Sequence, residues 1–170
     1  MIPVRESLRT LQANGWVKIR PHHGAFVVSG TEAELADLYE ARMVLETAAS
    51  EMAAVRRTDD DLHRLDHSVA AGTDIVATGS LHEFARLNSE FHERVTEATH
   101  NGTLIEVQRR LSQRVRFYSS VLTMDRVQRS VEEHAALVDA IRSRDHATAR
   151  AIAHAHVGTS KAKVSEQLPT

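Results

Sequence analysis

Apolar positions recur at helical spacing along almost the whole chain, and strand-like runs are confined to one short stretch near its start. Val4, Leu8 and Leu11 predict a helix over residues 3–14, with Pro3 in its first turn and Asn14-Gly15 as its stop. Two runs, Trp16-Val17-Lys18-Ile19-Arg20 and Ala25-Phe26-Val27-Val28, flank Pro21-His22-His23-Gly24 and predict a β-hairpin. After Ser29-Gly30 the strand pattern ends. Thr31-Glu32-Ala33-Glu34 is a capping box at the head of a helix over residues 31–57, whose apolar members include Leu35, Leu38, Met43, Leu45 and Met52. Thr58 or Asp59 caps a second helix through Leu62, Leu65 and Val69, and Gly79-Ser80 opens a third that Asn101-Gly102 ends. A fourth is predicted over 103–122, a fifth over 126–143, and a sixth, capped by Asp145, carries Ala149, Ile152 and Val157. The predicted fold is mainly α: one helix and a hairpin (1–30), then an antiparallel all-α bundle of about six helices (31–170), with residues 165–170 fraying.

Composition narrows the function. With 170 residues, 42% hydrophobic and 26% charged, the chain is too apolar for disorder and long enough for a sizeable core. The absence of cysteine excludes disulfides, Cys-ligated zinc and iron–sulfur centres. No apolar run reaches a membrane span and no signal-peptide core opens the chain, so a cytoplasmic protein without membrane contact is expected. At 4%, aromatic residues are too few for stacking platforms on single strands. The net charge of −2 conceals a division. Residues 1–30 hold four basic groups (Arg5, Arg9, Lys18, Arg20) against Glu6, a balance of +3, and the remainder carries −5. A small basic head precedes an acidic body rich in histidine.

The 11 histidines separate by geometry. A metal site in a helical bundle needs side chains from facing helices at one level. Asn88 and His92 are four apart on the third body helix and share a face with Phe84, Leu87, Phe91 and Val95. His134 lies 11 residues before Asp145 and His156 lies 11 after it. In an antiparallel pair turning there, equal arms bring both to the same level, about 16 Å from the turn at 1.5 Å per residue. Three imidazoles and an amide oxygen then converge, a set that suits zinc, nickel or another borderline divalent ion. Hydrogen-bonded core or surface histidines fit the same spacing. His63 and His67 lie on an Asp-rich helix, His154 faces away from His156, His22 and His23 sit in a turn, and His82, His100 and His146 lie near helix ends. Enzyme signatures are thin: neither His82-Glu83 nor His92-Glu93 is completed to HExxH, and there is no Gly-rich phosphate loop. The alternatives are a metal-dependent enzyme using the three histidines and a ligand-binding or dimerisation module that does not touch DNA.

A helix followed by a two-stranded hairpin is the second half of a winged helix-turn-helix, in which the recognition helix enters the major groove. Arg5 and Arg9 share a face opposite Val4, Leu8 and Leu11, and with Lys18, Arg20, His22 and His23 they form a candidate DNA-contacting set. A solvated basic helix and hairpin is the plainer alternative.

Ile2-Pro3-Val4-Arg5-Glu6-Ser7-Leu8-Arg9-Thr10-Leu11, Asn14-Gly15-Trp16-Val17 and Arg20-Pro21-His22-His23-Gly24-Ala25-Phe26-Val27 closely resemble the recognition helix and wing of GntR-family transcription regulators. Leu38-Tyr39-Glu40-Ala41-Arg42, Leu45-Glu46, Leu87-Asn88-Ser89-Glu90-Phe91-His92, Glu133-His134 and His154-Ala155-His156 resemble the FCD ligand-binding domain of the FadR subfamily. The resemblance implies a homodimeric regulator that binds double-stranded DNA, with a small organic acid effector bound beside a divalent metal ion. By position it makes Asn88, His92, His134 and His156 the metal ligands, Asn88 standing where Asp is usual. Arg42 is a candidate for the effector's carboxylate, and pairing with Glu46 one turn later is its other role. Two helices that precede the recognition helix in that family have no counterpart here, so an N-terminally truncated winged helix is expected, its apolar residues short of partners.

Overall fold

The computed structural model describes residues 2–13, 16–27, 31–119 and 123–166. The Asn14-Gly15 stop, the Ser29-Gly30 break, the predicted helix end at 120–122 and the chain beyond 166 lie outside the described residues. The chain divides into two compact units, residues 1–34 and 35–170.

The first unit holds α1 (Ile2–Ala13), β1 (Val17–Arg20) and β2 (Gly24–Val27). The strands pair antiparallel, with Lys18 opposite Phe26 and Arg20 opposite Gly24. Pro21 followed by His22 at φ 63 gives the φ pattern of a type II turn, closed by the His23 N–H on the Arg20 carbonyl at 3.1 Å. Gly24, at φ 96, occupies a backbone region that side chains disfavour. The predicted capping box forms, since Thr31 and Glu34 exchange two hydrogen bonds of 3.1 Å. Lys18 also meets Glu34 at 3.4 Å, which ties that first helical turn to the hairpin and puts the unit's edge beyond Gly30.

The second unit is built from α2 (Glu32–Arg56), α3 (Asp59–Thr78), α4 (Leu81–Glu97), α5 (Gly102–Ser119), α6 (Met124–Arg142) and α7 (His146–Ser165). Thr58 caps α3 through a reciprocal box with Asp61, Gly79 ends it in the left-handed region at φ 74, and Ser80 caps α4. Asp145 caps α7, accepting from the Thr148 N–H at 3.0 Å. Helix α4 packs on α3, α5 and α6, and α6 also packs on α3 and α7.

Burial is divided along these helices. One apolar cluster joins Leu35, Leu38, Tyr39, Phe84, Val127, Val157 and Val164, and a second joins Ala53, Leu65, Phe91, Val95, Leu137, Ile141 and Ala149. Successive helices run in opposite directions, so each cluster draws on alternate helix ends. Between them, the middles of α2, α4, α5, α6 and α7 bury polar groups: Arg42, Glu46, Asn88, His92, Gln108, Ser112, His134 and His156. Buried polar side chains require partners. The level of the bundle that lacks apolar filling is therefore where chemistry is to be sought.

Candidate metal centre

His92 on α4, His134 on α6 and His156 on α7 are each 3–5% exposed. One ring nitrogen from each lies within 4.8 Å of the other two. The ring centroids are 5.1, 5.0 and 4.8 Å apart for the pairs 92–134, 92–156 and 134–156. The Nε2 atoms of His92 and His156 face each other at 3.2 Å. Phe91 stacks on His134 with centroids 3.9 Å apart and an interplanar angle of 16°, fixing that ring from one side. Asn88 is buried one turn before His92 on α4.

Carboxylates stand behind two of the rings. Glu133 Oε2 lies 2.6 Å from His156 Nδ1. Glu46 Oε2 lies 3.2 Å from His92 Nδ1, in contact but without hydrogen-bond alignment. Such pairs direct the Nδ1–H outward and leave the Nε2 lone pair for the centre. His134 Nε2 is buried with no partner among the described residues.

Electrostatics holds the rings neutral. Burial pushes His92 far below its ordinary pKa, and the Arg42 guanidinium and the other two imidazoles push the same way. His134 is lowered by burial, then by His156, Arg42 and Arg126. For His156, burial lowers the pKa more than Glu133 raises it. Burial alone raises the Glu133 carboxyl, but His156 and Arg126 outweigh it and hold it down to about 2. Three neutral imidazoles with lone pairs turned toward one another form a donor set for a borderline divalent cation, and a buried imidazole nitrogen without a partner fits such a ligand.

Arg42 is 1% exposed. Its Nε donates to Glu46 Oε1 at 2.9 Å, and its Nη2 lies 3.0 Å from His92 Nε2. The two roles open for Arg42 in the sequence therefore meet in one place, since the Glu46 pair aims the guanidinium at the imidazole centre. Gln108 on α5 continues the network, donating to Glu46 Oε1 at 3.3 Å and to Ser112 Oγ at 3.2 Å.

Residues 37–159 match the FCD domain. The chain belongs to the FCD family. Over 155 residues it is 29% identical to the Nta operon transcriptional regulator of Aminobacter aminovorans, spanning 91% of this chain and 73% of that protein. It is 25% identical over 186 residues to the galactonate operon transcriptional repressor of Escherichia coli, spanning 96% and 80%. Among solved structures its fold is similar to that of E. coli McbR/YncC, with TM-score 0.85 at 19% identity over 98% of this chain and 80% of that one. A second is Streptococcus agalactiae GntR, with TM-score 0.68 at 23% identity over 94% and 80%. The domain match and these relatives bear out the resemblance to GntR-family regulators; the two sequence relatives are regulators by name, and neither is an enzyme.

Sequence reasoning gave no role to Arg126, Glu133 or Gln108 within the FCD domain, nor to Ser160 just beyond its matched range. A usable signal existed for two of them. Gln108 interrupts the apolar stripe Leu104, Leu111 and Val115, and Arg126 lies eight residues before His134 on the same helical face. The remaining histidines, 22, 23, 63, 67, 82, 100, 146 and 154, are exposed. His100 nonetheless bonds Asp61 at 2.8 Å. In the first unit Arg5, Arg9, Lys18, Arg20, His22 and His23 are all exposed, and the Arg20 guanidinium lies 5.4 Å from the Phe26 ring centre. Val4, Leu11, Ile19 and Phe26 are exposed as well. Among the described residues no helix is long and apolar enough to cross a membrane.

Proposed function

We propose that this FCD protein is a homodimeric, cytoplasmic, DNA-binding transcription regulator of the GntR type, whose helical unit senses a small carboxylate beside a divalent metal ion. The observation that carries the sensing half is the convergence of His92, His134 and His156, with carboxylates behind two of the rings. His92, His134 and His156, with Asn88, are the residues that hold the ion, and zinc and nickel match this donor set best. When bound, the ion supplies a positive centre for a carboxylate oxygen. Arg42 serves the same end: an imidazole lone pair given to a cation no longer accepts from Nη2, and the freed donor faces the anion. On the DNA side, Arg5 and Arg9 on α1 and Lys18, Arg20, His22 and His23 on the hairpin are exposed for contact with base edges and phosphates. The regulator reading draws its support from the names of the relatives. Effector binding shifts the population of bundle arrangements, and with it the spacing of the two α1 helices of a dimer.

Two measurements test this. Elemental analysis of the purified chain is expected to find about one divalent ion per subunit, absent in His134→Ala and retained in His63→Ala; loss in both variants or in neither overturns the ligand set. Selection from random duplexes followed by gel shifts is expected to yield a preferred sequence whose affinity falls steeply between about 50 and 200 mM salt, and falls further in Arg5→Ala. Failure to enrich any sequence removes the DNA half.

A further inference from the structure

We propose that the effector is a short dicarboxylate and that Arg126 takes its second carboxylate. This rests on the metal-and-carboxylate reading above and adds a residue and a ligand class to it.

Arg126, near the start of α6, is 2% exposed. Its Nη2 is occupied, donating to Glu133 Oε2 at 2.8 Å, Ser160 Oγ at 2.9 Å and the His156 carbonyl at 3.3 Å, and lying 3.3 Å from His156 Nδ1. Its Nε and Nη1 are buried and have no partner among the described residues. Those two atoms carry three of the five N–H donors of a guanidinium. The buried N–H donors of a guanidinium have no acceptor role to fall back on, so they demand an acceptor. A buried donor left unmade carries the desolvation cost of its group in full, and the cost is greater on a charged group. Arg42 differs, because none of its nitrogens is among the buried atoms without a partner.

Charge leads to the same ligand. Two buried guanidiniums, Arg42 and Arg126, are matched by two carboxylates, the buried Glu46 and the half-buried Glu133. A divalent cation among neutral imidazoles adds two positive charges that these two ion pairs, already matched within themselves, do not offset, and uncompensated buried charge is strongly unfavourable. A monocarboxylate cancels half of that excess and a dicarboxylate cancels all of it. The two anchors also stand apart. Arg42 meets His92 at Nε2, whereas Arg126 meets His156 at Nδ1, on the side of the ring away from the facing Nε2 pair. Anchors on opposite sides of one ring favour a two-ended anion over a compact dianion such as inorganic phosphate.

The test is calorimetric titration of the zinc-loaded chain, its zinc content verified, with the matched pairs malonate and propionate, succinate and butyrate, and with inorganic phosphate. One dicarboxylate is expected to bind at least about tenfold more tightly than its matched monocarboxylate, as one additional charge-assisted contact implies. In Arg126→Gln, compared at verified zinc content, the ratio of dicarboxylate to matched monocarboxylate affinity is expected to fall to about one whatever happens to the absolute affinities, and Arg126→Lys is expected to keep part of the preference. Equal affinity within both pairs in the wild type, phosphate binding as tight as the best dicarboxylate, or an undiminished preference in Arg126→Gln each overturns the proposal. The wild-type comparison decides even where a variant does not fold. Should the chain take up neither zinc nor nickel, the metal reading fails, and the same pairs titrated into the ion-free protein still decide the role of Arg126. Zinc uptake with no binding of any carboxylate overturns both readings.

Discussion

At the scale of single residues, the centre works through the groups behind the imidazoles as much as through the imidazoles themselves. Glu133 accepts from His156 at 2.6 Å and from Arg126 at 2.8 Å, so it fixes the ring that a ligand must present and anchors a buried cation at once. Glu46 accepts from Arg42 Nε at 2.9 Å and lies 3.2 Å behind His92 Nδ1, in contact without hydrogen-bond alignment. Carboxylates placed behind ligating histidines typically change metal affinity by about 10–100-fold. Glu133→Gln is therefore expected to weaken zinc affinity by about that factor in a competition assay with a chromogenic chelator, with a circular dichroism spectrum like that of the wild type. An unchanged affinity would assign Glu133 to packing alone. Glu133 was visible in the sequence as the neighbour of His134, yet its partner is His156, 23 positions away. Adjacent residues on a helix point in directions about 100° apart, so neighbourhood in sequence concealed the contact.

At the scale of elements, helix ends carry much of the fold's specificity. The Thr58–Asp61 box caps α3, and the Asp61 carboxylate also accepts from Arg64 at 2.5 Å and meets His100 at 2.8 Å. Burial raises the Asp61 carboxyl, but Thr58, Arg64 and His100 outweigh it and hold it at about 2 against an ordinary 3.8. A carboxyl with a depressed folded pKa stabilises above its unfolded pKa, and that stability is lost as pH falls through the folded one. Thermal unfolding is thus expected to lose on the order of 2 kcal/mol from this group between about pH 4 and pH 2, and Asp61→Asn to remove that part of the acid dependence. An identical acid limb in the variant would show that Asp61 is uncoupled from folding. The ends of α2 and α6 cap each other. Arg144, at φ 58, donates to the Val55 carbonyl at 2.6 Å, and Arg57 donates to the Arg142 carbonyl at 2.7 Å. Arg144→Ala is expected to destabilise by about 1–2 kcal/mol, and Arg144→Gly by less, because glycine relieves the left-handed backbone. Denaturant titration of the pair checks the order; a glycine variant less stable than the alanine one contradicts it.

At the scale of the whole molecule, two apolar clusters leave a polar level between them, and on the proposed reading an ion bound at that level adds to global stability. An ion at about 100 times its Kd adds about 2.7 kcal/mol to unfolding. Chelation is expected to lower the thermal midpoint of the wild type and leave that of His134→Ala unmoved, and equal shifts in both would place the stabilising ion elsewhere. The helical periodicity, the caps at Thr31, Thr58, Ser80 and Asp145, and the hairpin around Pro21 were legible because each is local, the chain meeting itself within a few residues. The equal arms of the α6–α7 hairpin made His134 and His156 legible too, since a turn and a rise per residue fix the level of every side chain. Which helix faces are brought together across the bundle is a different matter. That Arg42 points at His92, that Glu46 is shared with Gln108, and that Arg126 is buried against His156 with donors to spare are contacts over separations of 30 to 62 positions. The sequence by itself determined the elements and the chemistry each could offer. Tertiary packing alone decided which groups were shut away from water together, and burial is what brings three neutral histidines and two arginines into one centre, the basis of the proposed cation and anion site.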